Sequence, residues 1–223
     1  MRITDLRPED RPRERLLEKG ADSLSDAQLV AVLLRCGVQG KSAIDLAAEL
    51  LARFGGVTHM LEAGPQLETM KGLGPAKRAQ FAAAIELARR ALQEKLKESA
   101  ALTSPGAVRD YLRLKLAARK EEAFVCMWLD AQHKVIDVQE AFTGTLTQTS
   151  VYPREIVKSA LRYNAAAVIF AHNHPSGVAQ PSQSDELLTR NLKEALALVE
   201  VKVLDHFIVA GHQAISFAER GLL

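Results

Sequence analysis

Apolar residues recur at helical spacing through the first hundred positions and in strand-length runs after them. Residues 25–36 (SDAQLVAVLLRC) open with Ser25 and Gln28 three apart, a capping box, and meet Gly37 as a stop. Residues 41–54 set Ile44, Leu46, Ala47, Leu50 and Leu51 along one stripe and end at Gly55-Gly56. Pro75 suits the first turn of a long helix reaching about Lys97, with Phe81, Ile85, Ala88 and Leu92 on its apolar face. The tract Glu98–Pro105 (ESAALTSP) is the linker candidate and divides the chain into residues 1–100 and 101–223.

Beyond the linker the period changes. Ser104-Pro105 opens a short helix through about Leu116, and residues 123–129 (AFVCMWL) form an apolar run of strand length. Asp130–His133 then makes a turn, and Lys134–Phe142 returns as the partner of a hairpin. Pro153–Tyr163 reads as a helix, Ala165–Ala171 as a buried strand, Ser182–Leu198 as an amphipathic helix and Val201–Val209 as a further strand. Strands alternating with helices predict an α/β or α+β layer, a sheet with helices packed on it, behind an all-helical N-terminal domain.

Composition narrows the class without naming a function. The chain has 223 residues, 48% of them hydrophobic and 25% charged, as in an ordinary soluble globular protein. No stretch reaches the ~18–20 uninterrupted apolar residues of a membrane helix, so no membrane partner is expected. The charged start, MRITDLRPEDRPRERLLEKG, lacks the apolar core of a signal peptide, and a cytoplasmic location is expected. Two cysteines, Cys36 and Cys126, exclude a disulfide framework and a Cys-based zinc ribbon. A formal charge of +2 leaves any DNA affinity to a local patch.

The chemistry gathers after the buried strand, in Ala171-His172-Asn173-His174-Pro175-Ser176-Gly177. Residues two apart on a strand point the same way, so His172 and His174 can face one point. Asp185 follows at the start of the next helix, three residues after Ser182. Two imidazoles and a carboxylate offer three ligands to one Zn2+ per chain and leave a fourth position open for water, as in a catalytic site. Such an ion lowers the pKa of its water toward ~7 and polarises a carbonyl. The bland alternative is also consistent: Ser182 and Asp185 make a respectable capping box, and one carboxylate can serve both ends.

The spacing His172-x-His174-x7-Ser182-x2-Asp185 resembles the JAMM metalloprotease motif of the MPN family, whose best-known members cleave isopeptide bonds to ubiquitin. The fuller string looks like the bacterial RadC family: Pro153-Arg154-Glu155, Ala165-Ala166-Ala167, His172 to Gly177, Pro181-Ser182, Leu204-Asp205-His206 and Glu219 to Leu223. The resemblance covers essentially the whole chain. It implies a cytidine-deaminase-like MPN/JAMM domain with a mixed sheet flanked by helices, and zinc on His172, His174 and Asp185. It also implies that Ser182 donates to an oxyanion and that a glutamate on an early strand is the general acid/base. Glu122 matches that position best, with Glu155 as runner-up. The family form has His where this chain has Tyr152, so Tyr152 is not counted as a ligand. Asp205 and His206 read as core groups or supports behind the site.

In the N-terminal region, Met70 to Ala79 (MKGLGPAKRA) resembles a helix-hairpin-helix motif. That motif offers backbone N–H groups of a Gly-x-Gly turn to DNA phosphates, which would make Lys71, Gly72, Gly74, Lys77 and Arg78 the DNA contacts. A plain turn between packed helices is the alternative. Three functions therefore stand open. The first is a zinc metallohydrolase of JAMM type, cutting a peptide, isopeptide or related amide bond in a protein or peptide partner. The second is a DNA repair or recombination factor with nuclease or accessory activity, against which a single zinc with one carboxylate is unusual. The third is a scaffold stabilised by metal. Deaminase chemistry is disfavoured, because no H-x-E with P-C-x-x-C is present.

Overall fold

The computed structural model describes residues 3–63, 67, 70–98, 105–144 and 151–223. The chain forms two compact units, one ending at Leu87 and the other spanning Ala88–Leu223. The expected linker falls largely on residues 99–104, outside the described residues.

The first unit is helical: α1 (Pro12–Lys19), α2 (Asp26–Leu34), α3 (Ala43–Phe54), α4 (Val57–Glu62) and the start of α5 (Pro75–Glu98). Ser25 caps α2 reciprocally with Gln28, and Ser42 caps α3 with Asp45, each pair satisfying two orphan amides. The stripe Leu46, Ala47 and Leu50 of α3 is buried with Val30, Ala31 and Leu34 of α2, Met60, Leu73 and Phe81. Gly72 lies against this core. Its φ is +96°, and a Cβ there would lie 2.5 Å from Val38 Cγ1, so only glycine fits without displacement. Helices α2, α3 and α5 stand where the apolar pattern predicts them; α1 and α4 are additional, being short, of eight and six residues. Helix α2 also ends two residues before its expected limit, at Arg35, whose φ is +64°.

The second unit holds a five-stranded mixed sheet in the order β2-β1-β3-β4-β5. Its strands are β1 (Ala123–Leu129), β2 (Val135–Thr143), β3 (Ala167–Asn173), β4 (Lys202–Ala210) and β5 (Gln213–Ser216). Helices cover both faces: α6 (Pro105–Leu116) and the end of α5 on one, α7 (Pro153–Arg162) and α8 (Gln183–Ala197) on the other. This double cover explains why β1 and β3 read as continuous apolar runs and not as alternations. Ala123, Val125, Met127 and Leu129 pack on the α6 side, Phe124, Cys126 and Trp128 on the other. β1 pairs antiparallel with β2 and β3, and β3 pairs parallel with β4 through the α8 crossover. A helical N-terminal region followed by a mixed sheet flanked by helices is the fold class the sequence predicts.

Strand β4 is irregular. The β3–β4 ladder slips between Val168 and Ile169, pairing them with Val203 and Asp205, so Leu204 is an extra residue. Past this bulge the alternation of β4 is reversed. Leu204, Phe207 and Val209 lie with the α6-side core, while Val203 lies with the α8-side core and His206 meets Phe124 and Phe170 of that side.

Candidate metal centre

The C-terminal end of β3, the middle strand, carries the site. β3 extends two residues beyond its expected end, so His172 lies inside the strand and is almost fully buried. His174 follows it, its backbone N–H donating to Val209 O at 2.8 Å and prolonging the parallel ladder. The chain then turns, with Gly177 N–H donating to His174 O at 3.0 Å, and Val178 O comes back to within 2.8 Å of His174 Nδ1. A carbonyl only accepts, so the neutral ring holds its hydrogen on Nδ1 and presents a lone pair at Nε2.

The two imidazoles converge, His172 Nε2 and His174 Nε2 lying 3.0 Å apart. Asp185 completes the group from the first turn of α8: Oδ1 is 3.2 Å from His172 Nε2 and Oδ2 is 3.4 Å from His174 Nε2. The carboxylate that faces the imidazoles also closes the capping box of α8. Oδ2 accepts from Ser182 N–H at 2.8 Å and from the Ser182 hydroxyl at 2.7 Å, while Ser182 Oγ accepts from Asp185 N–H at 3.2 Å. Glu122, one residue ahead of β1, offers an oxygen within 4.8 Å of ring nitrogens of His172 and His174. An open cleft of about 370 Å³ is lined by Glu122, His174, Pro175 and Ser176.

These donors fit a divalent cation of zinc type. Acceptor atoms of two imidazoles and a carboxylate crowd within 3.0–3.4 Å, a spacing that calls for positive charge among them, and the N/O donor set suits zinc. Partial burial would raise the Asp185 carboxyl, but hydrogen bonds to His172 and His174, then the charge of His172 and the Ser182 hydroxyl, hold it well below the usual carboxylate range. His174 is raised above the ordinary imidazole value, chiefly by its bond to Asp185.

Asn173 plays no part in that convergence. Its Oδ1 accepts from Ala123 N–H at 2.8 Å, and its Nδ2 donates to Glu121 O at 3.0 Å and Arg119 O at 3.4 Å. Glu122 is thus bracketed by a side chain from the histidine strand. Behind the site, His172 Nδ1 lies 2.8 Å from His206 Nε2, His206 Nδ1 lies 2.6 Å from Thr189 Oγ1, and Thr189 Oγ1 donates to Asp185 O at 2.6 Å. Burial pushes the His206 imidazole well below its ordinary value. The sequence singles out His206 without a partner and gives no prominence to Thr189. Only the spacing Asp185-x3-Thr189, one helical turn, could have signalled it.

The other expected positions fall as follows. Glu155 bonds Lys158 at 3.1 Å and Arg154 at 3.3 Å, and the Lys158 bond lowers its pKa. Tyr152 is exposed and meets Phe142 edge-on at 6.4 Å. Asp205 holds the C-terminal turn, accepting from Ser216 Oγ at 2.6 Å and Ala218 N–H at 3.0 Å. Lys71, Gly72, Gly74, Lys77 and Arg78 belong to the first unit, around the start of α5. Lys71 is exposed, whereas the Lys77 ammonium is engaged by three carbonyls, Cys36 O at 2.8 Å, Gly72 O at 3.1 Å and Gly37 O at 3.4 Å.

A mixed sheet covered on both faces, with two imidazoles and a carboxylate gathered at the end of its middle strand, defines a domain of the JAB (MPN) class. Residues 102–222 match the RadC-like JAB domain family, and residues 3–79 match the UPF0758 N-terminal family. Over full length the chain is 61% identical to a UPF0758 protein of Dechloromonas aromatica, 58% to one of a Polaromonas species and 56% to one of Nitrosomonas eutropha, covering all of each. The chain therefore belongs to the RadC-like UPF0758 family. Among the described residues, no helix is long and apolar enough to cross a membrane.

Proposed function

We propose that this protein is a zinc-dependent hydrolase of JAMM type that cleaves a peptide, isopeptide or related amide bond in a protein or peptide substrate. The observation that carries the reading is the convergence of His172 Nε2, His174 Nε2 and Asp185, with Glu122 close by and Glu122 and His174 lining an open cleft. His172, His174 and Asp185 would hold the ion. When bound, zinc supplies a Lewis acid that acidifies a water and polarises the scissile carbonyl.

The chain's own groups do the rest. Glu122 accepts a proton from the attacking water as the C–O bond forms, then delivers it to the leaving amine nitrogen as the C–N bond breaks. Ser182, whose hydroxyl rests on Asp185 Oδ2 at 2.7 Å, turns to donate to the developing oxyanion. In this reading the substrate would approach through the cleft lined by Glu122, His174, Pro175 and Ser176. We place this activity in the reducing cytoplasm, where Cys36 and Cys126 stay free thiols.

The first test is elemental analysis of the purified protein beside a His172→Ala/His174→Ala control, followed by a screen of peptide and isopeptide substrates with Glu122→Gln. About one zinc per chain, lost in the control, with hydrolysis abolished but metal retained in Glu122→Gln, is the expected result. Failure to take up zinc on reconstitution would overturn the reading.

A further inference from the structure

The buried row behind His172 has a direction, and it can be read from one end. Thr189 donates its hydroxyl hydrogen to the carbonyl of Asp185, one helical turn earlier, at 2.6 Å. A hydroxyl has a single hydrogen, so towards His206 Nδ1, 2.6 Å away, Thr189 Oγ1 can only accept. His206 thus carries its hydrogen on Nδ1. Enclosed completely among Phe124, Phe170 and Phe217, the neutral ring presents a lone pair at Nε2. That lone pair meets His172 Nδ1 at 2.8 Å, so the hydrogen between them belongs to His172. His172 Nε2 is left bare, facing His174 Nε2 and Asp185 Oδ1.

We propose that Thr189 and His206 are positioning residues that lock His172 in the Nδ1–H tautomer and orientation, so that its Nε2 stands ready for a divalent metal ion. The proposal rests on the metal-centre reading of His172, His174 and Asp185. Two features of the fold serve this arrangement. The row begins on the backbone of Asp185 and ends on the ring of His172, so two of the three ligands are tied to one another through groups remote from the cleft. The bulge at Leu204 then puts His206, and not Asp205, on the α8 side of the sheet; a regular β4 would turn His206 towards α6. Partners of this kind behind a metal-binding histidine raise its basicity and fix which nitrogen faces the ion.

Thr189→Val keeps the shape of the side chain and removes the acceptor. The His206 Nδ1–H is then a buried donor without a partner, a cost relieved by moving the hydrogen to Nε2. His172 Nδ1 would have to accept from it, and the hydrogen of His172 would point from Nε2 into the site. The test combines zinc affinity by chelator competition with two-bond 15N–1H correlation spectra of histidine-labelled, metal-free protein, for wild type, Thr189→Val and Thr189→Ser. The expected result is Nδ1–H for both His172 and His206 in wild type and Thr189→Ser. Thr189→Val should show Nε2–H at His206 and zinc binding weaker by about 10–100-fold, restored in Thr189→Ser. An Nε2–H tautomer at His206 in wild type, or equal zinc affinity in wild type and Thr189→Val, overturns this proposal alone. A wild type that takes up no zinc overturns the metal reading together with it.

Discussion

Asn173 sits between the two converging histidines and holds the backbone on either side of Glu122, bonding Glu121 O and Ala123 N–H. Its truncation should leave the metal ligands in place and loosen the proton-transfer group. For Asn173→Ala we expect zinc content near wild type and hydrolysis reduced by about 10–100-fold, since misplacing a reacting group by about 1 Å has effects of that size; equal losses of both would instead assign Asn173 to the metal. The His174 shift gives a second prediction. Its folded pKa is raised, chiefly by the Asp185 bond, so on acidification it takes up a proton at a higher pH than a free imidazole. A protonated ring cannot ligate, and apparent zinc affinity should therefore begin to fall above pH ~6.5. Metal titrations from pH 8 to pH 5 check this; a fall confined to well below pH 6 would contradict it. The histidine pair and Asp185 were legible at this scale from spacing, because a strand period of two and a capping position leave little freedom. The work of Asn173 was not, because its partners lie some fifty residues earlier in the chain.

At the scale of elements, the capping box of α8 and the turn before α5 show signals with two readings. In α8 the box forms, and the same carboxylate faces the histidines, so the geometry leaves room for both. In the Gly-x-Gly tract the geometry documents packing. Gly72 has a positive φ and touches Val38, and Lys77 clamps three carbonyls of the neighbouring loops. Gly72→Ala should accordingly destabilise the protein by roughly 1–3 kcal/mol, through backbone strain and the forced shift of Val38. Urea denaturation measures it, and a change below about 0.5 kcal/mol would mean that the turn relaxes freely. β4 shows the opposite limit. Its apolar pattern predicts a strand, yet the bulge that aims His206 depends on pairing with β3, which no run of residues in β4 announces.

For the whole molecule, the converging groups come from the end of β3 and from α8, and the groups behind them, Thr189 and His206, from α8 and β4, all within the second unit. An ion bound there should stabilise that unit and leave the first unchanged. Zinc at 100 times its Kd adds about 2.7 kcal/mol to whatever unfolds with the site. Hydrogen exchange with and without zinc should show slower exchange in β3, α8 and β4 and no change in α2 and α3. Uniform slowing across both units would instead show that they unfold together.

What the sequence determined by itself is whatever rests on local period and local chemistry. The helices with capping boxes, the two doubly covered strands, and the spacing that brings His172, His174 and Asp185 to one place depend on neighbours a few residues away. The family membership was legible for the same reason, being carried by contiguous motifs. Tertiary structure decided the rest: that Asn173 serves Glu122, that Lys77 clamps carbonyls forty residues earlier, and that a bulge turns His206 towards Thr189 and His172. Each is a hydrogen bond between segments distant in sequence. Its direction is set by which groups the folded sheet and helices leave without another partner, and burial makes satisfying those groups compulsory.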